Sequence, residues 1–250
     1  MRSIVALILA CLALFAPSAY AGEVVYEVTI TEEWVEAPAS GRFVVAPPAA
    51  LPATIATYGP FRVVDGHRAV LAGATDSRSP ALFAAMLRDY PGIAVLDMVE
   101  CPGTSDDWAN LKLGRMIRAA GIATHVPAGG SVRSGGVELF LAGAQRQVDD
   151  GAEFAVHSWM DIYGRQAKDF APDAPQNRAY TDYYREMGMT PEGARDFYEM
   201  TNSTPFAQAH WMDADEMRGW LARSEAAIAP ARQQSDMPKL AYLDLAAASY

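Results

Sequence analysis

A single serine opens the question of chemistry in this chain. Ser134 lies within the stretch "AGGSVRSGGVELFLAG", between Arg133 and a pair of glycines that begins at Gly135. Glycine permits close backbone approach and positive φ, so the loop can expose its serine. Two interpretations stay open at this point. The hydroxyl is either the N-cap of the helix predicted to follow, or a nucleophile, which needs a base and hydrogen-bond donors for an oxyanion.

The base would have to be a histidine, and four are present. His157 ends the predicted strand "AEFAVHS" and follows Ser134 by one helix and one hairpin. A strand that returns after such an excursion brings its end close to the neighbouring loop, which makes His157 the candidate base. His67 falls on a predicted hairpin tip, His125 in the middle of a strand and therefore in the core, and His210 at a helix entry. A histidine at a strand end also occurs in purely structural roles.

Backbone amides are the natural donors for an oxyanion. The N–H of Gly135 starts the predicted helix and therefore points out of it. A second donor is expected from Gly103 and Thr104 in the turn "CPGT", which follows another predicted strand. Because sites in open α/β sheets form beyond the carboxyl ends of the strands, we expect these amides to lie near Ser134 and His157.

Other chemistries have weaker support in the sequence. The nucleophile motif G-x-S-x-G is incomplete, because Val132 stands where its first glycine would be. Cys101 is a second candidate nucleophile, but nothing near it in sequence would activate a thiol. The spacing of histidines and acids matches no zinc motif. We therefore expect no metal and no cofactor.

The elements that must position these residues alternate between strand and helix. The patterns predict, in chain order, a hairpin at 60–73 that turns at Asp65-Gly66, a helix at 79–91, a strand at 93–100, a helix at 106–121, a strand at 122–127, a helix at 135–144, two short strands at 146–157, a helical region at 160–205 and a helix at 212–222. This order predicts an α/β fold with right-handed crossovers and a helical C-terminal region.

Composition limits the setting of this chemistry. The chain has 250 residues, 51% of them hydrophobic, which suits one globular domain. Its formal net charge is −10 and it has no basic run, which argues against a nucleic-acid partner.

The N-terminal segment predicts export. Residues 1–21 combine Arg2, an apolar run and a small-residue cleavage site before Gly22, as in a secretory signal peptide. The run at 4–16 is too short to span about 30 Å of hydrocarbon, so we expect no integral membrane segment after cleavage and a periplasmic location. The predicted organisation is a signal peptide at 1–21, a strand extension with a proline-rich linker at 22–57, the main domain at 58–228 and a tail at 229–250.

The order of these motifs resembles the proteolytic subunit of Clp protease and its ClpP/crotonase superfamily, especially small exported bacterial relatives. The carrying features are the turn "CPGT" after a strand, the helix ending "MIRAAG", the small-residue loop with Ser134, the sequence "LAGAQR" and the strand that ends in His157. The resemblance covers residues 58–160 and extends to 222. It implies a spiral of β-β-α units in a homo-oligomer, a trimer or larger. It also implies a nucleophilic Ser134, a basic His157 and an oxyanion hole from the backbone of Gly103, Thr104 and Gly135.

The chain departs from the family pattern at several positions. Thr104 replaces the usual second glycine of the turn, and Glu138 stands where relatives have small apolar residues. The stretch "TPFAQAHWM", where the third catalytic member would be an aspartate, has Gln208 and no nearby carboxylate. Gln208 and Asp161 are therefore the candidates for orienting the ring of His157.

Two functions from different classes follow. The first is an exported serine hydrolase, peptidase-like, that acts on a peptide or ester through Ser134 and His157. The alternative is a catalytically inactive binding or scaffold protein of the periplasm, with the aromatic-rich region 160–205 as its partner surface. An acyl-thioester enzyme of the crotonase type is disfavoured, because coenzyme A is not expected outside the cytoplasm and no basic cluster for its phosphates is visible.

Overall fold

This computed structural model describes residues 49–224 of the chain. They contain nine strands and six α-helices, joined by loops and turns. The strands are β1 (Ala56–Tyr58), β2 (Phe61–Val63), β3 (Arg68–Ala72), β4 (Val95–Cys101), β5 (Ala123–Val126), β6 (Ser131–Arg133), β7 (Arg146–Val148), β8 (Glu153–Val156) and β9 (His210–Asp213). The helices are α1 (Ser79–Asp89), α2 (Asp107–Ala119), α3 (Gly135–Leu141), α4 (Pro175–Glu186), α5 (Pro191–Asn202) and α6 (Ala214–Ser224). The predicted signal peptide, most of the 22–57 extension and the 229–250 tail lie outside the described residues.

Strand pairing gives the sheet two branches that share β4. The first residues of β4 pair in parallel with β5, and its last residues, Glu100 and Cys101, pair in parallel with β6. The next two strands repeat the arrangement, because β7 pairs with β5 and β8 pairs with β6, again in parallel. Each β-β-α unit therefore gives one strand to each branch. This is the predicted spiral, and the α/β fold class is confirmed.

Local chemistry explains where several elements begin and turn. The carboxylate of Asp65 accepts hydrogen bonds from the backbone N–H groups of His67 and Arg68, and this closes the predicted β2–β3 hairpin. The Asp106 side chain caps α2 by accepting from the N–H of Ala109 at 2.9 Å. Along β4, Leu96 and Met98 are fully buried, whereas Asp97 is half-buried and Glu100 is exposed, so the strand is not apolar throughout.

Three strands were not predicted. β1 spans the predicted boundary between the proline-rich linker and the main domain, and it pairs antiparallel with β2. β6 is only three residues long and follows a glycine-rich loop, so its sequence carries no alternation to detect. β9 occupies His210–Asp213, where the sequence predicted a helix entry, and it pairs antiparallel with β8. All three are strands because neighbouring strands supply the hydrogen bonds.

The predicted helical region after residue 160 is part of the core. Tyr183, Tyr184 and Phe197 of α4 and α5 are fully buried. The Tyr183 hydroxyl donates to the backbone carbonyl of Glu138, and the Tyr184 hydroxyl donates to the Glu138 carboxylate, each at 2.7 Å. These aromatic side chains are therefore packed inside the domain. Among residues 49–224, no helix has both the length and the apolar character that crossing a bilayer requires.

His125 lies in a row of charges at one face of the sheet, contrary to the prediction that it packs in the core. Its Nδ1 lies 2.7 Å from Oδ1 of Asp97, and its Nε2 lies 3.0 Å from Oδ2 of Asp149. Arg68 pairs with the same Asp97 oxygen. The burial of β5 alternates along the strand, and His125 falls on its less buried face. Its pairing is structural and does not involve Ser134.

The packing of α2 against α4 depends on Gly114. A Cβ at this position would lie 1.8 Å from the Tyr183 hydroxyl oxygen, which is held by its bond to Glu138. Glycine in a helix otherwise costs roughly 0.5–1 kcal/mol relative to alanine.

We expect Gly114→Ala to lower the free energy of unfolding by about 1–3 kcal/mol, because the buried Tyr183 ring must move. Gly219→Ala in α6 is the matched control: the nearest atom to its added methyl is the flexible end of Arg223, at 3.3 Å. That control should raise stability by about 0.5–1 kcal/mol. Denaturant unfolding of both variants measures the difference, and equal effects would contradict the packing argument.

Candidate active site

The backbone of Ser134 has an unusual conformation. Its φ is 48° and its ψ is −130°, and no other non-glycine residue between 49 and 224 has a positive φ. A side chain in this region costs on the order of 1–3 kcal/mol and is kept only where surrounding bonds enforce it. The Ser134 N–H donates to the carbonyl of Ala155, and its carbonyl accepts from the N–H of Val137, each at 2.8 Å. Both sides of the residue are therefore pinned.

The Ser134 hydroxyl does not cap α3. The N-cap residue of α3 is Ser134, yet its side chain accepts no hydrogen bond from the helix. Nor does it bond to any other group within residues 49–224. The side chain is half-buried. This excludes the interpretation of Ser134 as a capping serine and leaves its oxygen free for chemistry.

Gly103 allows the backbone to approach Ser134 closely. The first glycine of a complete G-x-S-x-G motif would have this role, but Val132 stands there. A Cβ at Gly103 would lie 3.0 Å from the Ser134 Cβ and 3.3 Å from its Oγ, and its φ of 129° also favours glycine. The turn after β4 therefore lies directly against the serine. A strained turn that exposes a serine after a strand and before a helix is typical of nucleophile elbows.

His157 follows β8, the strand beside β6. The parallel register pairs Arg133 with Ala155, so Ser134 and His157 leave the same edge of the sheet from neighbouring strands. The Nδ1 atom of His157 lies 2.9 Å from the carbonyl oxygen of Ser158. A carbonyl only accepts, so Nδ1 carries the proton and Nε2 of the neutral ring has a free lone pair.

Burial lowers the pKa of the His157 ring, while the Ser158 carbonyl and the charge of Asp107 act in the opposite direction. The ring is therefore neutral at pH 7, as a general base must be. No hydrogen bond joins it to the Ser134 hydroxyl. Such contacts are often long without substrate and tighten in the complex. The edge of the Phe206 ring packs against the imidazole, with centroids 4.9 Å apart.

Neither predicted orienting residue bonds to the His157 ring. Asp161 instead accepts from the backbone N–H groups of Tyr163 and Arg165 and pairs with the Arg165 guanidinium. Gln208 is exposed, and its backbone N–H donates to Pro205. The physical reason is that the backbone carbonyl of Ser158 already occupies Nδ1. A main-chain acceptor thus takes the position expected for a carboxylate.

Two backbone amides face the Ser134 side of the site. The carbonyl of Gly103 accepts from the Thr75 N–H at 3.0 Å, on the β3 side of the turn. In a trans peptide the next N–H points the opposite way, so the Thr104 N–H faces Ser134. The Gly135 N–H likewise points out of the first turn of α3. Within residues 49–224, neither amide has a hydrogen-bond acceptor.

Asp107 is a neighbour of the site that sequence reasoning did not select. It is the first residue of α2, and its Oδ2 accepts from the Tyr180 hydroxyl at 2.8 Å. The carboxylate reaches solvent but lies among crowded protein atoms. Burial raises its pKa, the Tyr180 bond lowers it, Asp106 raises it and His157 lowers it. The Tyr180 ring stacks on Trp159 with centroids 6.3 Å apart. Its position after the "CPGT" turn was the one available sequence signal.

Glu138 lies one helical turn after Ser134 and is buried. Burial raises the pKa of its carboxyl to about 7, partly offset by the Tyr184 hydroxyl, while the charge of Asp107 adds to the rise. Glu138 is the departure from the small apolar family pattern noted above. Tyr184 is the partner that makes its burial tolerable.

The remaining candidates have no catalytic setting. Cys101 is fully buried, burial strongly raises the pKa of its thiol, and its sulfur contacts the carbonyl of Leu71. It is therefore not the nucleophile. Between residues 49 and 224, no three His, Cys, Asp or Glu side chains are grouped so that they could hold a metal ion.

Comparisons with known proteins find similarity at the level of structure. The chain matches no protein-family model, and no curated protein matches its sequence significantly. A variant of the membrane-bound stomatin-specific protease 1510-N, solved with a substrate peptide, is similar at 14% identity and a TM-score of 0.41, over 59% of this chain and 70% of that one. A variant of ClpP1 from Listeria monocytogenes is similar at 12% identity and a TM-score of 0.43, over 62% of this chain and 87% of that one.

Relief of the strained backbone at Ser134 should be measurable. We expect Ser134→Gly to unfold with a free energy about 1 kcal/mol higher than Ser134→Ala, because only glycine removes the steric cost of the positive φ. Ser131 in β6 is the matched control position, where glycine should be the less stable of the two substitutions. An Ala variant as stable as the Gly variant at 134 would contradict the strain.

The buried Glu138 should make stability depend on pH. Its carboxyl has a pKa of about 7 in the folded protein and an ordinary value of 4.5. The pKa of this carboxyl is higher in the folded than in the unfolded protein. Its contribution to the free energy of unfolding is therefore present in full below about pH 4.5 and is lost as the pH rises to about 7. The loss is about 3 kcal/mol.

Glu138→Gln keeps an oxygen for Tyr184 and cannot ionise, so it should remove this fall in stability between pH 4.5 and 7. Chemical denaturation at several pH values, with Glu192→Gln on the exposed start of α5 as control, tests this. A variant whose stability keeps the native pH slope would refute the assignment.

Proposed function

We propose that this protein is an exported serine hydrolase of peptidase type, with Ser134 as nucleophile and His157 as general base. The observation that carries the proposal is the free hydroxyl of Ser134. It sits on a positive-φ turn, next to the strand that ends in His157 and beside two amides that have no acceptor among residues 49–224.

The geometry supports a two-step acyl transfer. The Ser134 oxygen attacks the substrate carbonyl carbon while its proton passes to Nε2 of His157. The N–H groups of Thr104 and Gly135, with Gly103 alongside, stabilise the negative oxygen of the tetrahedral intermediate. His157 then protonates the leaving amine or alcohol, and an acyl-enzyme on Ser134 remains. Water attacks the carbonyl carbon of this ester while Nε2 takes its proton. The bond between the acyl carbon and the Ser134 oxygen then breaks, Nε2 returns the proton to that oxygen, and the carboxylic acid is released.

The main chain performs the role usually given to a third side chain. The Ser158 carbonyl accepts the Nδ1 proton, which fixes the tautomer and orients the ring. It also stabilises the imidazolium formed during each step, although less than a full negative charge would. The Ser158 carbonyl and the nearby charge of Asp107 both act to raise the pKa of His157. Together they allow base catalysis without a hydrogen-bonded carboxylate.

The substrate and setting follow from sequence features. A peptide bond is the proposed substrate, with esters as the simpler alternative, because the resemblance is to peptidases. The signal-like residues 1–21 support export to the periplasm. A homo-oligomer, a trimer or larger, belongs to the same proposal.

A catalytically inactive scaffold is the second candidate. It is favoured by the absence of a Ser134–His157 hydrogen bond and of a carboxylate on the ring in the described part of the chain. The burial of Tyr183 and Tyr184 removes part of the aromatic surface once expected for its partner. Exposed apolar side chains remain in the segment after His157, at Met160, Ile162 and Tyr163, and Phe206, also exposed, packs on the His157 ring.

A fluorophosphonate probe distinguishes the two functions. We expect the native protein to form an adduct that peptide mass spectrometry assigns to Ser134. Ser134→Ala should abolish labelling, and His157→Asn should slow it by roughly 10²–10⁴-fold, the usual contribution of a general base.

The exposed Ser203→Ala serves as the matched serine control and should label at the native rate. A folded native protein that is not labelled, or an adduct that persists in Ser134→Ala, would rule out the hydrolase and leave the scaffold.

A further inference from the structure

We propose that the hydrogen-bonded pair Thr75 and Asn110 positions the two oxyanion amides, Asn110 that of Gly135 and Thr75 that of Thr104, an inference that rests on the proposed hydrolase function. Asn110 lies in the first turns of α2 and is 2% exposed, and Thr75 is equally buried. Neither side chain touches the reacting atoms, so their role is exerted through the backbone of Thr104 and Gly135.

One side-chain amide connects the segments that follow three strands. The Thr75 hydroxyl, just after β3, donates to Oδ1 of Asn110 at 2.9 Å. Nδ2 of Asn110 donates to the carbonyl of Gly135, after β6, at 2.7 Å. Asn110 itself belongs to the helix that follows β4. The three loops that border Ser134 are thereby joined by two buried hydrogen bonds.

These bonds fix the direction of the Gly135 N–H. The carbonyl on one side of this amide, that of Ser134, is held by the Val137 N–H. The carbonyl on its other side, that of Gly135, is held by Asn110. The Ser134 carbonyl is part of the same peptide group as the Gly135 N–H, and the Gly135 carbonyl is part of the next one. With both peptides fixed, the Gly135 N–H has little freedom to turn away from Ser134.

The same arrangement controls the Thr104 N–H. The backbone of Thr75 accepts from Ser105 and donates to Gly103, each at 3.0 Å, so the peptides around Thr104 are fixed. The methyl group of Thr104 packs on Gly135, where an added Cβ would lie 2.6 Å from it. Thr75 therefore sets one amide through its backbone and the other through Asn110.

An asparagine is needed because the position requires an acceptor and a donor at once. Asparagine has low helix propensity, so its place inside α2 carries a small cost that these bonds offset. Aspartate keeps the acceptor for Thr75 but would present an oxygen to the Gly135 carbonyl. A buried group left without its partner loses the stabilisation of the bond and gains a desolvation cost.

The test compares isosteric changes at Thr75 and Asn110 in the full chain. Thr75→Val and Asn110→Asp should lower the rate of fluorophosphonate labelling, and kcat on any ester cleaved, by about 10–100-fold with little change in KM; removal of a whole oxyanion donor costs about 10²–10³-fold. Thr75→Ser, which keeps the hydroxyl, should stay within about threefold of the native rate, since the bond to Asn110 persists.

Thr124→Val is the matched control. Thr124 is also fully buried, and its hydroxyl donates to the Phe140 carbonyl near the other end of α3, at 2.7 Å. This variant should lose stability as Thr75→Val does but label at the native rate.

Amide hydrogen exchange gives a readout that needs no activity. Exchange at Val137, whose N–H donates to the Ser134 carbonyl at 2.8 Å, should quicken in Thr75→Val and Asn110→Asp and stay native in Thr124→Val. If the native protein labels but these variants match the control, or slow without any change in exchange, Asn110 is not a positioning residue while the hydrolase stands. If the native protein does not label yet exchange at Val137 quickens, the bonds do fix the Ser134–Gly135 peptide but the catalytic assignment falls with the hydrolase.

Discussion

The hydrogen bond from the Ser134 N–H to the Ala155 carbonyl sets up the rest of the site. It extends the parallel pairing of β6 and β8 by one residue beyond the last strand position. The backbone is thereby committed to the sheet on one side and to α3 on the other, and the change of direction has to be absorbed at Ser134. A positive φ is the result, and the side chain is pushed away from both elements. A free hydroxyl is a geometric consequence of this junction.

The spiral arrangement explains why so many short segments meet around that hydroxyl. β3, β4, β6 and β8 are neighbours in one branch of the sheet and run in the same direction. Their carboxyl ends therefore release Thr75, the turn at Gly103, Ser134 and His157 at a common edge. Parallel strands require long crossover connections, which is why residues far apart in sequence become adjacent. Few side chains are needed to build such a site, because the main chain supplies the amides and the acceptor on His157.

Two acidic side chains near the site, those of Asp107 and Glu138, share the same electrostatic setting. Asp107 and Glu138 both have raised pKa values because burial disfavours their charge, and each is bonded to a tyrosine hydroxyl. Tyrosine donates to these carboxyls without adding a positive charge. In contrast, burial lowers the pKa of the His157 ring. In all three groups burial disfavours the charged form, as a low-dielectric environment requires.

The sequence by itself determined the alternation of strands and helices, the hairpin at Asp65-Gly66 and the helix start at Asp106, and it selected Ser134 and His157 as candidates. These follow from local patterns, capping residues and turn chemistry, which act over a few residues. Only the tertiary structure decided that the hydroxyl is not a cap, that Ser158 rather than Asp161 or Gln208 orients the ring, and that His125 lies in a charge row. The short β6, the antiparallel β9 and the Thr75–Asn110 link were equally hidden. Each depends on hydrogen bonds between segments distant in sequence, and pairing of that kind leaves no local periodicity to detect.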